Sequence, residues 1–139
     1  MTGPATASDR LQLVLVTLDR KVLETECDEV RLPGALGELG ILPAHTPMIT
    51  ALTIGELMVR DGASRRWFAL AGGFAEISGN VVTVLADRAD GPEGIDAAAE
   101  RRAIAKAEED ILAAQDEAWQ DDMRALELAR TRLAVAERG

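Results

Sequence analysis

The sequence predicts a β plus α chain: an N-terminal antiparallel β-sandwich over residues 1–90, followed by a two-helix antiparallel hairpin over residues 91–139. Three observations carry that prediction. From residue 11 to about residue 88, short apolar runs rich in Val, Ile, Leu and Thr are cut every eight to twelve residues by turn chemistry, the rhythm of an antiparallel sandwich. After Asp90-Gly91-Pro92-Glu93-Gly94 the composition changes abruptly, and residues 95–139 hold thirteen alanines, no proline and no glycine before Gly139. Within that second part, apolar residues recur three and four positions apart in two separate stripes, and two stripes imply two helices.

Taken in order, residues 11–18 form a first strand that ends at Asp19-Arg20-Lys21. Val30 and Leu32 alternate with charged neighbours in a strand that Pro33-Gly34 is expected to stop. Residues 55–60 and 67–70 flank Asp61-Gly62, a pair that tolerates the positive φ of a tight hairpin turn. Residues 74–77 and 81–85 flank Ser78-Gly79-Asn80 in the same way. Gly72-Gly73 interrupts a strand pattern and reads as a bulge or a close backbone approach rather than a phosphate cradle, because no GxGxxG or GxxxxGK[ST] pattern surrounds it. Asp96 is placed to cap the first helix, whose stripe is Ile104, Ala107, Ile111 and Ala114. Trp119, Met123, Leu126 and Leu133 form the second stripe, flanked by Ala118, Ala125, Ala129 and Ala136, so the helices should part within Gln115-Asp116-Glu117.

Charge and composition exclude several functions. The net charge of −9 repels nucleic acid and anionic lipid head groups. No apolar run approaches the ~20 residues that span a bilayer. Residues 1–9 carry no Lys or Arg, so they read as neither a secretory signal nor a transit peptide. The lone cysteine, Cys27, has no partner within the chain for a disulfide and reads as a buried thiol.

The inventory for catalysis is thin: one His, one Cys and no Tyr. His45 lies in Leu42-Pro43-Ala44-His45-Thr46-Pro47, a loop stiffened by two prolines, and has no second His or Cys with which to build a transition-metal site. Acidic clusters such as Asp121-Asp122 and Glu108-Glu109-Asp110 read as solvated helix faces. No catalytic residue, metal site or cofactor is expected. One asymmetry stands out in the tail: residues 96–122 hold three basic and nine acidic side chains, whereas residues 123–139 hold four basic and two acidic. Arg124, Arg130, Arg132 and Arg138 could therefore face an acidic partner.

The segment Leu32-Pro-Gly-Ala-Leu-Gly-Glu-Leu-Gly-Ile-Leu-Pro-Ala-His-Thr-Pro-Met-Ile-Thr50 resembles the signature loop of the epsilon subunits of bacterial F-type ATP synthases. Gly72-Gly73-Phe74 through Gly79-Asn80-Val81-Val82-Thr83-Val84-Leu85-Ala86-Asp87 resembles a second block of that family, and an alanine-rich helical pair follows in both. The resemblance implies a sandwich of about ten strands with a mobile hairpin, in a non-catalytic rotor subunit of the central stalk. It implies docking on the gamma subunit and the ring of c subunits, with Glu38 toward the c ring and His45 and Thr50 toward gamma. It further implies that the extended hairpin, through Arg124, Arg130 and Arg132, reaches the alpha and beta subunits and restrains ATP hydrolysis. Membrane association at the cytoplasmic face would come only through the complex. Some members bind ATP through an Ile/Leu-Asp-x-x-Arg-Ala motif. Here Ile95 and Asp96 match, Ala99 and Glu100 do not, and Arg102 lies nearest the missing arginine, so nucleotide binding is expected to be weak or absent. The alternative is an unrelated sandwich binding module with a helical interaction tail.

Overall fold

The computed structural model describes residues 10–139, so the reading of residues 1–9 lies outside the described part. Eight strands come first: β1 (Leu11–Val16), β2 (Lys21–Cys27), β3 (Glu29–Gly34), β4 (Gly37–Ile41), β5 (Met48–Asp61), β6 (Ser64–Ser78), β7 (Val81–Ala86) and β8 (Ala89–Asp90). A single 3-10 turn (Pro92–Gly94) leads into α1 (Ala97–Ala113) and α2 (Ala118–Arg138). The strands hydrogen-bond in the order β2-β1-β7-β6-β5-β3-β4, with β8 beside β6. All neighbours are antiparallel except β1 and β7.

The expected count of about ten strands is corrected to eight, and the reason lies in β5 and β6. Both are about twice as long as the sequence rhythm suggests, at 14 and 15 residues. Each also changes the face it turns to the core. In β5 the core residues are Leu52 and then Leu57 and Val59; in β6 they are Phe68 and Leu70 and then Ala75 and Ile77. Side chains alternate with a period of two, so this shift from even to odd numbers, or the reverse, marks a bend where the strand passes from one layer to the other. Counted layer by layer, β5 and β6 appear twice.

Gly72-Gly73 is where β6 bends. Gly73 has φ +133°, and a Cβ there would lie 2.1 Å from the Leu85 carbonyl oxygen, so only glycine fits the close approach of β7. The ladder nevertheless continues past the bend, as Asp87 N donates to Gly72 O and Ala71 N to Arg88 O.

The hairpin turns follow the local chemistry. Asp61 pairs with Ser64 across Gly62 at φ +61°, and Ser78 pairs with Val81 across Gly79 and Asn80, both with positive φ. The Leu32–Thr50 segment is only partly a loop. Leu39 and Ile41 alternate inward and pair with Leu32 and Val30, forming the β3–β4 hairpin, and only its two-residue turn, Ala35-Leu36, and residues 42–47 lie outside strands. β3 ends at Gly34, within the Pro33-Gly34 pair expected to stop it, and the β3–β5 register shifts between Arg31 and Gly34, where proline cannot donate a ladder bond.

One core closes between the layers, with Leu11, Leu13, Leu15, Val30, Leu32, Ile41, Leu57, Leu70, Ile77, Val82 and Val84 almost fully removed from water. No residue of α1 or α2 belongs to it. The helices lie outside, with α2 against β5 and β6. Asp96 caps α1 by accepting from Ala98 N and Ala99 N at 3.0 and 3.3 Å. The helices part at residues 114–117, and Asp116 accepts from Ala118 N at 3.0 Å to start α2.

Candidate docking face and hairpin seam

The two surfaces with functional character are the outer, exposed face of β1, β7, β6 and β5 around Phe74 and the seam that α2 makes with β5 and β6. On the outer face, strand register sets Val16, Leu85, Phe74 and Ala51 in one row across β1, β7, β6 and β5. The row continues to the β3–β4 turn, where Ala35 N donates to Ala51 O at 2.9 Å. Ile49 stands beside it on the same face of β5. Ile49 is 73% exposed, Phe74 60% and Leu85 44%, and Leu36 at the turn is fully exposed. Scattered exposed apolar residues are ordinary, but a contiguous row on a sheet marks an interaction surface.

The residues expected to dock are distributed around this row. Glu38 is exposed on edge strand β4, opposite Pro33, at the turn that carries Leu36. His45 is half-buried in the 42–47 loop, its Nδ1 2.7 Å from Thr46 O, and that loop is tied to the β6–β7 turn by Ala44 N donating to Asn80 Oδ1 at 2.6 Å. Thr50, in β5, pairs with Ala75 of β6 and turns toward the core side with Met48 and Leu52, whereas its neighbours Ile49 and Ala51 turn outward. Among the described residues no hydrogen bond or ion pair links Glu38, His45 and Thr50. Sequence reasoning missed Ile49, Phe74 and Leu85. The missing signal was β5–β6–β7 register, which alone brings three separated apolar residues into one row.

At the seam, α2 buries Leu126, Ala129, Arg132 and Val135, a line spaced every three residues. Of the expected stripe only Leu126 is buried, with Ala129 from the flanking alanines, since Leu133 is half-buried and Trp119 and Met123 are 49% and 44% exposed. β5 and β6 meet this line with Ile54, Met58 and Ala69, which are buried but outside the sandwich core. They share their faces with Glu56 and Trp67, both of which contact Arg138. The Arg138 guanidinium lies 3.6 Å from the Trp67 ring centroid and bonds Glu56 at 2.6 and 3.3 Å. The Glu56 hydrogen bond raises the Arg138 pKa above its ordinary value.

The arginines expected to reach a partner are thus unequal. Arg130 forms an exposed pair with Glu108 of α1 at 3.5 Å. Arg132 is buried, bonded to Asp90 Oδ2 and 3.2 Å from Glu100 Oε2. Arg124 is exposed, lines a cleft with Thr53, Gly72, Phe74 and Asp87, and has no ion-pair partner among the described residues. At the start of α1, Ile95 is half-buried, Asp96 is engaged as a cap, and Arg102 is exposed.

No three His, Cys, Asp or Glu side chains converge as metal ligands among the described residues. Burial pushes the Cys27 thiol up to about 11, which keeps it protonated and unreactive near neutrality. No helix among the described residues is long and apolar enough to cross a membrane.

Residues 10–92 match the family described as ATP synthase, Delta/Epsilon chain, beta-sandwich domain. The ATP synthase epsilon chain of Geotalea uraniireducens is 38% identical over 131 residues, covering 93% of this chain and 95% of the relative. That of Nitratidesulfovibrio vulgaris is 48% identical over 93 residues, covering 67% and 69%. Among solved structures, a chain of the Euglena gracilis mitochondrial ATP synthase (OSCP/F1/c-ring, rotational state 1) superposes with a TM-score of 0.82 at 23% identity, over 91% of this chain and 81% of that one. A chain of the Tetrahymena thermophila mitochondrial ATP synthase central stalk and c ring gives 0.56 at 10% identity, over 92% and 94%. Those two establish likeness of fold, and the sequence relatives and the family match establish more: this chain belongs to the ATP synthase epsilon-chain family.

Proposed function

We propose that this chain is a non-catalytic rotor subunit of a proton-translocating ATP synthase, which couples proton flow to ATP synthesis and restrains ATP hydrolysis. The observation that carries the reading is the exposed row Leu85, Phe74 and Ala51 with Ile49, beside the Gly-shaped turn bearing Leu36 and Glu38. An apolar row bordered by a polar turn suits a flat partner surface, and the gamma subunit is the partner that family membership supplies. Glu38, on the edge strand, is left to meet polar loops of the c ring, and His45 and Thr50 flank the gamma-facing side. Residues 1–90 are then the docking part and residues 91–139 the regulatory part. Released from the seam, α2 would present Arg124, Arg130 and Arg132 to acidic surface on the alpha and beta subunits. The chain would sit at the cytoplasmic face of the bacterial membrane, held there only through the complex.

Co-purification tests the docking reading. Phe74→Asp, which introduces a charge on an exposed side chain, should leave the sandwich folded yet reduce gamma recovered with the chain by at least tenfold. Undiminished recovery of gamma with a Phe74→Asp/Leu85→Asp double variant would refute it.

A further inference from the structure

Arg132 is the one buried charged residue among the described residues, and it joins three separate elements. It projects from α2, its Nη1 bonds Asp90 Oδ2 at the end of β8, and its Nε lies 3.2 Å from Glu100 Oε2 in the first turn of α1. The side chains of Arg132, Asp90 and Glu100 are 8%, 19% and 13% exposed, so all three charges are largely withdrawn from water. Arg88 closes the set with its Nε 3.1 Å from Asp90 Oδ2. Two carboxylates thus meet one buried guanidinium, with the half-exposed Arg88 at the rim balancing the second charge.

We infer that the Arg132–Asp90–Glu100 set is a charge-gated latch: the hairpin docks on the sandwich only while the buried guanidinium keeps both carboxylates. The argument is one of desolvation. A buried charge is tolerated when paired and becomes costly when a partner is lost, whereas the same three groups are each solvated once the hairpin lifts away. Loss of one carboxylate thus penalises the docked state and leaves the open state almost untouched. The neighbouring contacts cannot gate in this way. Arg138–Glu56, Arg130–Glu108 and Arg101–Glu137 lie at the margin of the seam, where water replaces a lost partner. The latch also fixes register, because a one-turn slip of α2 would carry Arg132 ~5.4 Å from both acids.

The latch rests on the reading of the hairpin as a detachable element, so its test uses the isolated full chain, and hydrolysis by the assembled complex tests that reading separately. Glu100→Gln keeps the shape of the side chain and removes its charge. Amide hydrogen exchange in α2 between Leu126 and Val135 should accelerate at least tenfold, while β1 and β7 exchange at the parental rate. Adding Arg132→Met removes the stranded cation, with Asp90 still held by Arg88, and should return α2 exchange to within about threefold of the parent. A role for Arg132 in packing alone predicts no effect of Glu100→Gln. Exchange within twofold of the parent in the single variant, or equal acceleration in the single and double variants, would overturn the latch. Should the single variant lose the sandwich as well, Asp90→Asn makes the same comparison from the other carboxylate.

Discussion

Truncation after Gly94 is the perturbation that separates a detachable hairpin from an integral one. All members of the sandwich core lie between Leu11 and Ala89, so removing the helices leaves that core intact. What the truncation exposes is the seam, chiefly Ile54, Met58 and Ala69, together with the face of Trp67 that Arg138 covers. Exposing a buried Met and a buried Ile costs about 4 kcal/mol, and the alanine with the lost stack adds about 1, for about 5 kcal/mol in all. A domain in the upper part of the ~5–15 kcal/mol range survives that loss. At roughly 4–8 °C per kcal/mol for a domain of this size, the melting midpoint should fall by roughly 20–40 °C while the transition stays cooperative. Circular dichroism at a strand-sensitive wavelength, with calorimetry to compare the two enthalpies of unfolding, reads both quantities. A truncated chain with no cooperative transition would refute the reasoning, since the helices would then be part of the folding unit.

Two further outcomes are expected. Deleting residues 123–139 should raise ATP hydrolysis by the assembled complex several-fold, with Arg124→Glu/Arg130→Glu giving part of that rise; unchanged hydrolysis in both would leave α2 with a structural role only. Isolated chain should bind Mg-ATP weakly or not at all, because Ala99 offers no donor, the Asp96 carboxylate is occupied as a cap and Glu100 adds a negative charge beside Arg132. One missing charge-assisted hydrogen bond is worth roughly ten- to a hundred-fold in affinity, and a low-micromolar dissociation constant by calorimetric titration would refute this.

Features set by local chemistry were legible in the sequence. Gly62, Gly79 and Asn80 announced their turns because positive φ selects those residues, and Asp96 announced a helix start because a carboxylate there satisfies orphan amides. Features set by register were not. The outer row of Phe74, Leu85 and Ile49 exists only after β5, β6 and β7 are aligned, and each residue alone looks like a core position. Strand count failed for a related reason, since a bend inside one long strand leaves the same apolar and glycine pattern as a break between two short ones. Arg132 was legible as a cation but not as a buried one. Its burial depends on Asp90 and Glu100, 42 and 32 positions earlier in the chain, and helix periodicity counts an arginine as solvent-facing. The spacing held a clue nonetheless: Leu126, Ala129 and Val135 recur every three or six residues, and Arg132 fills the gap in that series.

The composition of the seam bears on how firmly the hairpin is held. Its apolar part is small, worth about 5 kcal/mol on the sheet side, and the ion set adds little net stability, because the cost of desolvating three charges offsets most of their attraction. An all-apolar seam of the same area would hold the hairpin without distinguishing one register from another. A charged seam makes docking depend on three residues drawn from β8, α1 and α2, so disturbing any one of these elements loosens the hairpin while the sandwich core beneath it stays closed.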